Sequence, residues 1–214
     1  MDIEKLHSRG WCEIASIDSK DLTGQLLEIG RCLGRPVALR NSIGIVQELI
    51  PSQTARFTNS LSATYKDGEF PMHTDTAHWL TPCRYVVMGC SKEGERRRDT
   101  LLLDMAAIPM LEEDRLLLMS EPFRIINGRR SFYGTVLAPD RPFIRYDPGC
   151  MFPTRDRGKA AMSLFATLRL SGPKESIRWR EGKILVIDNW RVLHGRSSAQ
   201  GYGSERIISR VLVA

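Results

Sequence analysis

The sequence predicts a mainly β fold with flanking helices, arranged as a two-sheet jelly roll or small barrel. About eight short segments rich in β-branched and aromatic residues are punctuated by Gly, Pro, Asn and Asp, whereas three segments carry helical periodicity. The regular strand–helix alternation of a parallel sheet is absent, and so is a phosphate loop of the G-x-x-x-x-G-K-[ST] kind. The first helix is predicted in "SKDLTGQLLEIGRCLG", where Leu22, Leu26, Ile29 and Leu33 recur at helical spacing, Ser19 serves as cap, and Gly34 followed by Pro36 stops the run. Strands follow in "TYKDGEFPMH", "RYVVMGC" and "TLLLD". Between the last two, the run Ser91–Asp99, "SKEGERRRD", mixes signs and reads as a solvated hairpin loop. A second helix is predicted from Ala106 to Met119, then strands in "FRIING", "SFYGTVL" and "FIRYD". A third helix over Arg157–Leu170 carries the stripe Ala161, Leu164, Phe165 and Leu168, and strands in "KILVIDN" and "RIISRVLVA" close the pattern.

With 214 residues, no repeat and no linker-like stretch, one domain over residues 1–214 is expected. No apolar run approaches the roughly 20 residues that span a bilayer. The start, "MDIEKLHSRGW", lacks the apolar core of a signal peptide, so a cytoplasmic protein without membrane partners is expected. Cys12, Cys32, Cys83, Cys90 and Cys150 never form C-x-x-C, which argues against a disulfide framework or zinc cluster. The net charge of +6 is compatible with nucleic acid, acidic lipid or a carboxylate-bearing substrate as partner, and nucleic acid is not required by it.

Four histidines are present: His7, His73, His78 and His194. In "FPMHTDTAHW", His73 and Asp75 stand two apart and point to the same side of an extended segment. His194, in "DNWRVLHGR", is the natural third ligand. Two histidines and a carboxylate on one face of an ion leave positions open, the arrangement suited to non-haem Fe(II) that must also hold a cosubstrate and O2. Near the C-terminus, "SERIISRVLVA" puts Arg206, Ile208 and Arg210 on one face of a strand, and two arginines there are costly to bury without an anion.

These motifs together, with "FPMHTDTAHWLTPCRYVVMGC…DTLLLD", "GKILVIDNWRVLHGR" and the R-x-x-x-R pair, resemble the Fe(II)/2-oxoglutarate-dependent oxygenases of the taurine dioxygenase superfamily, which includes gamma-butyrobetaine hydroxylase and clavaminate synthase-like enzymes. The resemblance implies a double-stranded β-helix with a cupin-like core. It assigns His73, Asp75 and His194 to Fe(II), and Arg206, helped by the Thr100 hydroxyl, to the distal carboxylate of 2-oxoglutarate. Arg210 would share that carboxylate or meet an acidic group of the substrate. Because halogenases of this kind replace the ligand carboxylate by a small residue, Asp75 favours hydroxylation over halogenation and leaves desaturation or ring formation open.

Other residues carry two readings each. His78 is a pocket-wall or substrate contact or a surface loop residue; Trp79 and Tyr65 wall the pocket or pack in the core. Arg196 balances a carboxylate or touches substrate. Arg145 and Asp147 grip an amino-acid-like substrate or form a cross-strand ion pair. Asp188 and Asn189 are expected to fix the turn before His194. The function expected is hydroxylation of a small, carboxylate-bearing metabolite such as an amino acid or biosynthetic intermediate. Hydroxylation of a protein or nucleic-acid side group, and a non-catalytic jelly-roll binding protein, are the alternatives.

Overall fold

The computed structural model describes residues 2–16, 19–39, 44–49, 64–65, 68–139 and 142–214. One sheet runs in the order β1 (Trp11–Ala15), β11 (Lys183–Asp188), β5 (Tyr85–Lys92), β13 (Ile207–Val213) and β2 (Pro36–Val37), and β3 (Gln47–Leu49) also pairs with β13. A second sheet runs β10 (Lys174–Ile177), β6 (Thr100–Asp104), β12 (Val192–Arg196) and β4 (Phe70–His73). A small third sheet contains β8 (Arg130–Gly134), β7 (Phe123–Asn127) and β9 (Met151–Pro153). The helices are α1 (Ile3–Arg9), α2 (Leu22–Leu33), α3 (Glu112–Ser120) and α4 (Asp156–Ser171). The result is a mixed β/α fold whose two main sheets are antiparallel throughout the described pairings.

Alternation along the strands explains the layering. Val86, Met88 and Cys90 of β5 join Leu185 and Ile187 of β11, and Ile208 and Leu212 of β13, in one apolar cluster that also takes Leu102 from the second sheet. The intervening Val87, Ile184, Val186 and Val211 point the other way, onto Leu22 and Leu26 of α2. Covered on both faces, these strands can be apolar throughout, hence the unbroken runs "VVMGC" and "ILVI". On the second sheet Leu103 and Leu193 face outward into a further cluster, built with Phe165 of α4, Leu118 of α3 and Phe123 of β7. The stripe read from the sequence is the one used: Ala161 and Phe165 are buried, and Leu164 and Leu168 pack beside them.

Several local expectations give way. The cap of α2 is Asp21, whose carboxylate accepts from Gly24 N at 3.1 Å, and Ser19 opens a single 3-10 turn ahead of it. The helix expected from Ala106 begins at Glu112: Met105–Ala107 form one 3-10 turn capped by Asp104, and Pro109 cannot continue it. Of the stretch "TYKDGEFPMH", Phe70–His73 form a strand, and Lys66 and Asp67 lie outside the described residues. "FIRYD" forms no strand, only an isolated bridge between Leu137 and Ile144.

"SKEGERRRD" is not a hairpin loop, because β5 and β6 lie in different sheets. The segment crosses between them and is pinned by ion pairs: Arg96 and Arg98 to Glu205 at 2.7 and 3.1 Å, and Arg97 to Asp99 at 2.7 Å. The Arg98 side chain is fully buried. Cys12, Cys83, Cys90 and Cys150 are buried free thiols and Cys32 is exposed. No helix among the described residues is long and apolar enough to cross a membrane.

Phe165 is fully buried with its ring 5.1 Å from that of Tyr146. Phe165→Ala should lower unfolding stability by about 3–5 kcal/mol, read as a lower urea midpoint with an unchanged slope.

Candidate metal centre

The centre is built where β4 and β12 run side by side. His194 lies directly opposite His73 in the antiparallel ladder, and their ring centroids are 4.5 Å apart. Asp75 follows His73 by two residues, and one donor atom from each of His73, Asp75 and His194 lies within 4.8 Å of the other two. His194 Nε2 is 3.4 Å from Asp75 Oδ2. Nδ1 of His73 donates to Pro71 O at 3.1 Å, which leaves Nε2 as the lone-pair nitrogen. Burial, reinforced by the neighbouring His194, lowers the His73 pKa to about 4, so the imidazole is neutral near pH 7. Burial alone would raise the Asp75 pKa; Arg210 and then His194 overcome it and hold the carboxyl well below the usual range. The set is two imidazoles and a carboxylate, a donor set that fits a divalent ion.

The loop carrying Asp75 is fixed from two sides. Thr74 N donates to Tyr146 O at 2.7 Å, its hydroxyl donates to Ile144 O at 2.9 Å, and the same hydroxyl accepts from Tyr146 N at 3.2 Å. From the other side, Asn189 Oδ1 accepts from Asp75 N at 2.8 Å while Nδ2 donates to Asp75 O at 3.1 Å and Cys83 O at 2.7 Å. Between them Thr76 has a positive φ of 55°, rare for a β-branched residue, and its hydroxyl accepts from Cys83 N at 2.7 Å. Asn189 was expected to steady the turn before His194; it instead clasps the Asp75 backbone. Asp188 does hold that turn, accepting from Trp190 N at 3.1 Å.

The two arginines near the C-terminus differ. Arg210 Nη1 donates to both Asp75 oxygens at 2.8 and 2.9 Å, and Nη2 donates to Gln47 Oε1 at 2.7 Å. Arg206 is 6% exposed, yet its Nε and Nη1 have no hydrogen-bond partner among the described residues. Burial, with Arg196 and Arg98 nearby, brings its pKa down to about 10, so it remains a cation lacking an anion. Its guanidinium carbon lies 5.9 Å from the centroid of Trp179, whose Nε1 donates to Thr100 Oγ1 at 2.8 Å.

The remaining candidates scatter. His78 is outside the three-donor cluster and stacks edge-on near Trp79 at 6.3 Å. Arg196 lies over Phe70, whose ring meets that of His73 at 5.1 Å, placing it at the rim of the centre. Arg145 is buried and donates to the carbonyls of Ala77, Trp79 and Leu80. Its donors therefore hold the loop behind Asp75, and it makes no ion pair with Asp147 among the described residues. Trp179 had no signal in the sequence beyond its aromatic character.

Known proteins resemble this chain in sequence and in fold. A family model described as "Taurine catabolism dioxygenase TauD, TfdA family" matches residues 124–212, a span that includes His194, Arg206 and Arg210. Over nearly the whole chain, the fold superposes on an asparagine oxygenase in complex with Fe(II), 3-hydroxyasparagine and succinate, with a TM-score of 0.79 at 16% identity, covering 99% of this chain and 77% of that one. Residues 124–212 are thus similar to that family, and the whole chain shares its fold with an iron oxygenase.

Further proteins are similar to the chain in fold or in sequence. The non-haem iron oxygenase OrfP in complex with Fe and alpha-ketoglutaric acid gives a TM-score of 0.77 at 21% identity, covering 99% of this chain and 77% of that one. Clavaminate synthase 2 of Streptomyces clavuligerus is 25% identical over 224 aligned positions, 93% of this chain and 66% of that protein. The mitochondrial trimethyllysine dioxygenase of Mus musculus is 28% identical over 77% of this chain and 46% of its own length. The chain thus spans between about half and two thirds of these two curated relatives.

Asn189→Ala removes both grips on the Asp75 backbone. It should weaken Co(II) binding by about 10- to 100-fold, measured by titrating the cobalt absorbance, with the far-UV spectrum unchanged.

Proposed function

We propose that the chain is an Fe(II)- and 2-oxoglutarate-dependent oxygenase that hydroxylates an unactivated C–H of a small, carboxylate-bearing metabolite, on a double-stranded β-helix. The observation that carries the reading is the pairing of His73, Asp75 and His194 within 4.8 Å of one another with a buried, unpaired Arg206 cation. A metal alone would explain the first three residues. It would leave Arg206 without the anion its burial demands.

In this reading His73, Asp75 and His194 hold Fe(II), and Arg206 with Thr100 holds the distal carboxylate of 2-oxoglutarate. When bound, Fe(II) would supply the redox chemistry by which O2, the oxidant, hydroxylates the substrate while 2-oxoglutarate is oxidised to succinate and CO2. The chain's own residues provide position and charge. His73 is kept neutral and oriented by Pro71 O. Asp75 is kept ionised by Arg210 and aimed by Asn189. Arg206 offers a planar fork of donors matched to a carboxylate, which fixes the cosubstrate's far end and sets which end faces the metal. Arg210, beside Asp75, is the cation placed to meet an acidic group of the substrate. Arg196 and Trp79 belong to the substrate side, and His78 is a weaker candidate there; Arg145 acts behind the loop.

The relatives favour a small molecule. The matched structures include complexes with 3-hydroxyasparagine and with L-Arg, both amino acids. An amino acid or amino-acid-derived intermediate is the substrate class this supports, in preference to a protein or nucleic-acid side group.

Mixing the protein anaerobically with Fe(II) and 2-oxoglutarate should give a weak visible charge-transfer band, absent in His194→Ala. In air, succinate should accumulate, and Arg206→Met should raise the KM for 2-oxoglutarate about 100-fold, as expected when one partner of a buried charge pair is lost. No band, together with metal binding indifferent to His73→Ala and His194→Ala, would overturn the assignment.

A further inference from the structure

We propose that Trp179 is a positioning residue of the cosubstrate pocket, setting the donor direction of Thr100 and the plane of Arg206 together. The inference rests on the oxygenase reading above. Trp179 is 3% exposed and lies just past β10, whose Ile177 pairs with Thr100 of β6. Its Nε1–H donates to Thr100 Oγ1 at 2.8 Å, and the same indole has the Arg206 guanidinium carbon 5.9 Å from its centroid. One rigid side chain thus bonds to Thr100 and lies beside Arg206, the two groups that the oxygenase reading turns toward the anion.

The chemistry of a hydroxyl gives this contact its consequence. Thr100 Oγ1 has one hydrogen and two lone pairs, and an indole nitrogen can only donate. The indole proton therefore occupies a lone pair of Thr100 and leaves the hydroxyl hydrogen to be given elsewhere. Among the described residues Thr100 Oγ1 donates to no acceptor, and Arg206 presents unused Nε and Nη1 donors. Three donors with no protein acceptor border one indole, the complement of a carboxylate's two oxygens. A second lone-pair partner that could itself accept, such as a Ser hydroxyl, would let the Thr100 hydrogen turn inward. Tryptophan forbids it. The ring face contributes separately, since it limits the tilt of the guanidinium and adds a modest cation–π attraction.

A purely packing role for Trp179 is the competing explanation, because it also belongs to the apolar cluster between the sheets. The two differ in what they predict for a cosubstrate that lacks the distal carboxylate. Calorimetric titration of the full chain loaded with Mn(II), using 2-oxoglutarate and then 2-oxobutyrate, reads this directly. Trp179→Phe keeps a ring and removes the N–H. It should weaken 2-oxoglutarate by about fivefold, the size of one neutral hydrogen bond, and leave 2-oxobutyrate within about twofold. Equal losses for both ligands, or no loss for 2-oxoglutarate, overturn the proposal.

Should Trp179→Phe fold poorly, benzothienylalanine at position 179, which keeps the shape of the indole and lacks its N–H, takes its place, alone and with Thr100→Ala. Once the hydroxyl is gone, removing the N–H should change the ratio of the two affinities no further; a second, additive loss overturns the proposal. Arg206→Met separates the inference from its foundation. If that variant keeps the wild-type preference for 2-oxoglutarate, the pocket itself is misassigned and both readings fall. If it loses the preference while Trp179→Phe retains it, Trp179 alone is refuted.

Discussion

The cross-strand pairing of His73 with His194 is the constraint on which the rest of the centre depends. Side chains alternate along a strand, so a slip of one residue between β4 and β12 would send one imidazole to the opposite face. The register is held on both sides of the pair. On β12, Leu193 points into the outer apolar cluster while Val192 points between the sheets, and β6 fixes the same strand through His194 opposite Leu102. Burial of these apolar neighbours, at about 25 cal/mol per Å², opposes any slip. The two histidines, which cost free energy to bury, are carried into place by residues that gain from burial.

Asp75 lies beyond the end of β4 and cannot be placed by the ladder. It needs hydrogen bonds that a loop would otherwise lack, and the chain supplies them from opposite directions. Thr74 is tied to the segment 144–146, and the Asp75 backbone is tied to Asn189. Asn189 stands in the short turn joining β11 to β12, between the two main sheets. The turn that delivers His194 therefore also positions Asp75, which couples two of the three donors through one connection. The positive φ of Thr76 is the local cost of bending the chain away immediately after the carboxylate.

Much of this centre was legible in the sequence because it rests on few residue types at fixed spacing. With four histidines in the chain, H-x-D and one distant His left little choice of ligands. The strand pattern was legible for the same reason, since β5, β11 and β13 are long apolar runs. What misled was charge. "SKEGERRRD" has the composition of a solvated loop, but Glu205, which pairs with both Arg96 and Arg98, is remote in sequence, and no local rule could have found it. Arg145 misled in the same way. Alternation with Asp147 suggested a strand face, yet the guanidinium is spent on three carbonyls of the loop behind Asp75, contacts that leave no trace in residue identity.

The two arginines flanking Ile208 show how the fold assigns different tasks to identical side chains. Arg210 has its charge compensated within the protein: Asp75 takes Nη1 and Gln47 takes Nη2. Arg206 is flanked by the cations Arg98 and Arg196, while the carboxylate of Glu205 is already engaged by Arg96 and Arg98. Burying a guanidinium against like charges is unfavourable unless an anion repays it, and the gain from that anion is largest where the surroundings are driest. A dianionic ligand would thus be drawn to Arg206 first, with Arg210 retained on Asp75 until a second acidic group competes for it. On the proposed reading, the order of occupancy follows from the unequal compensation of the two arginines.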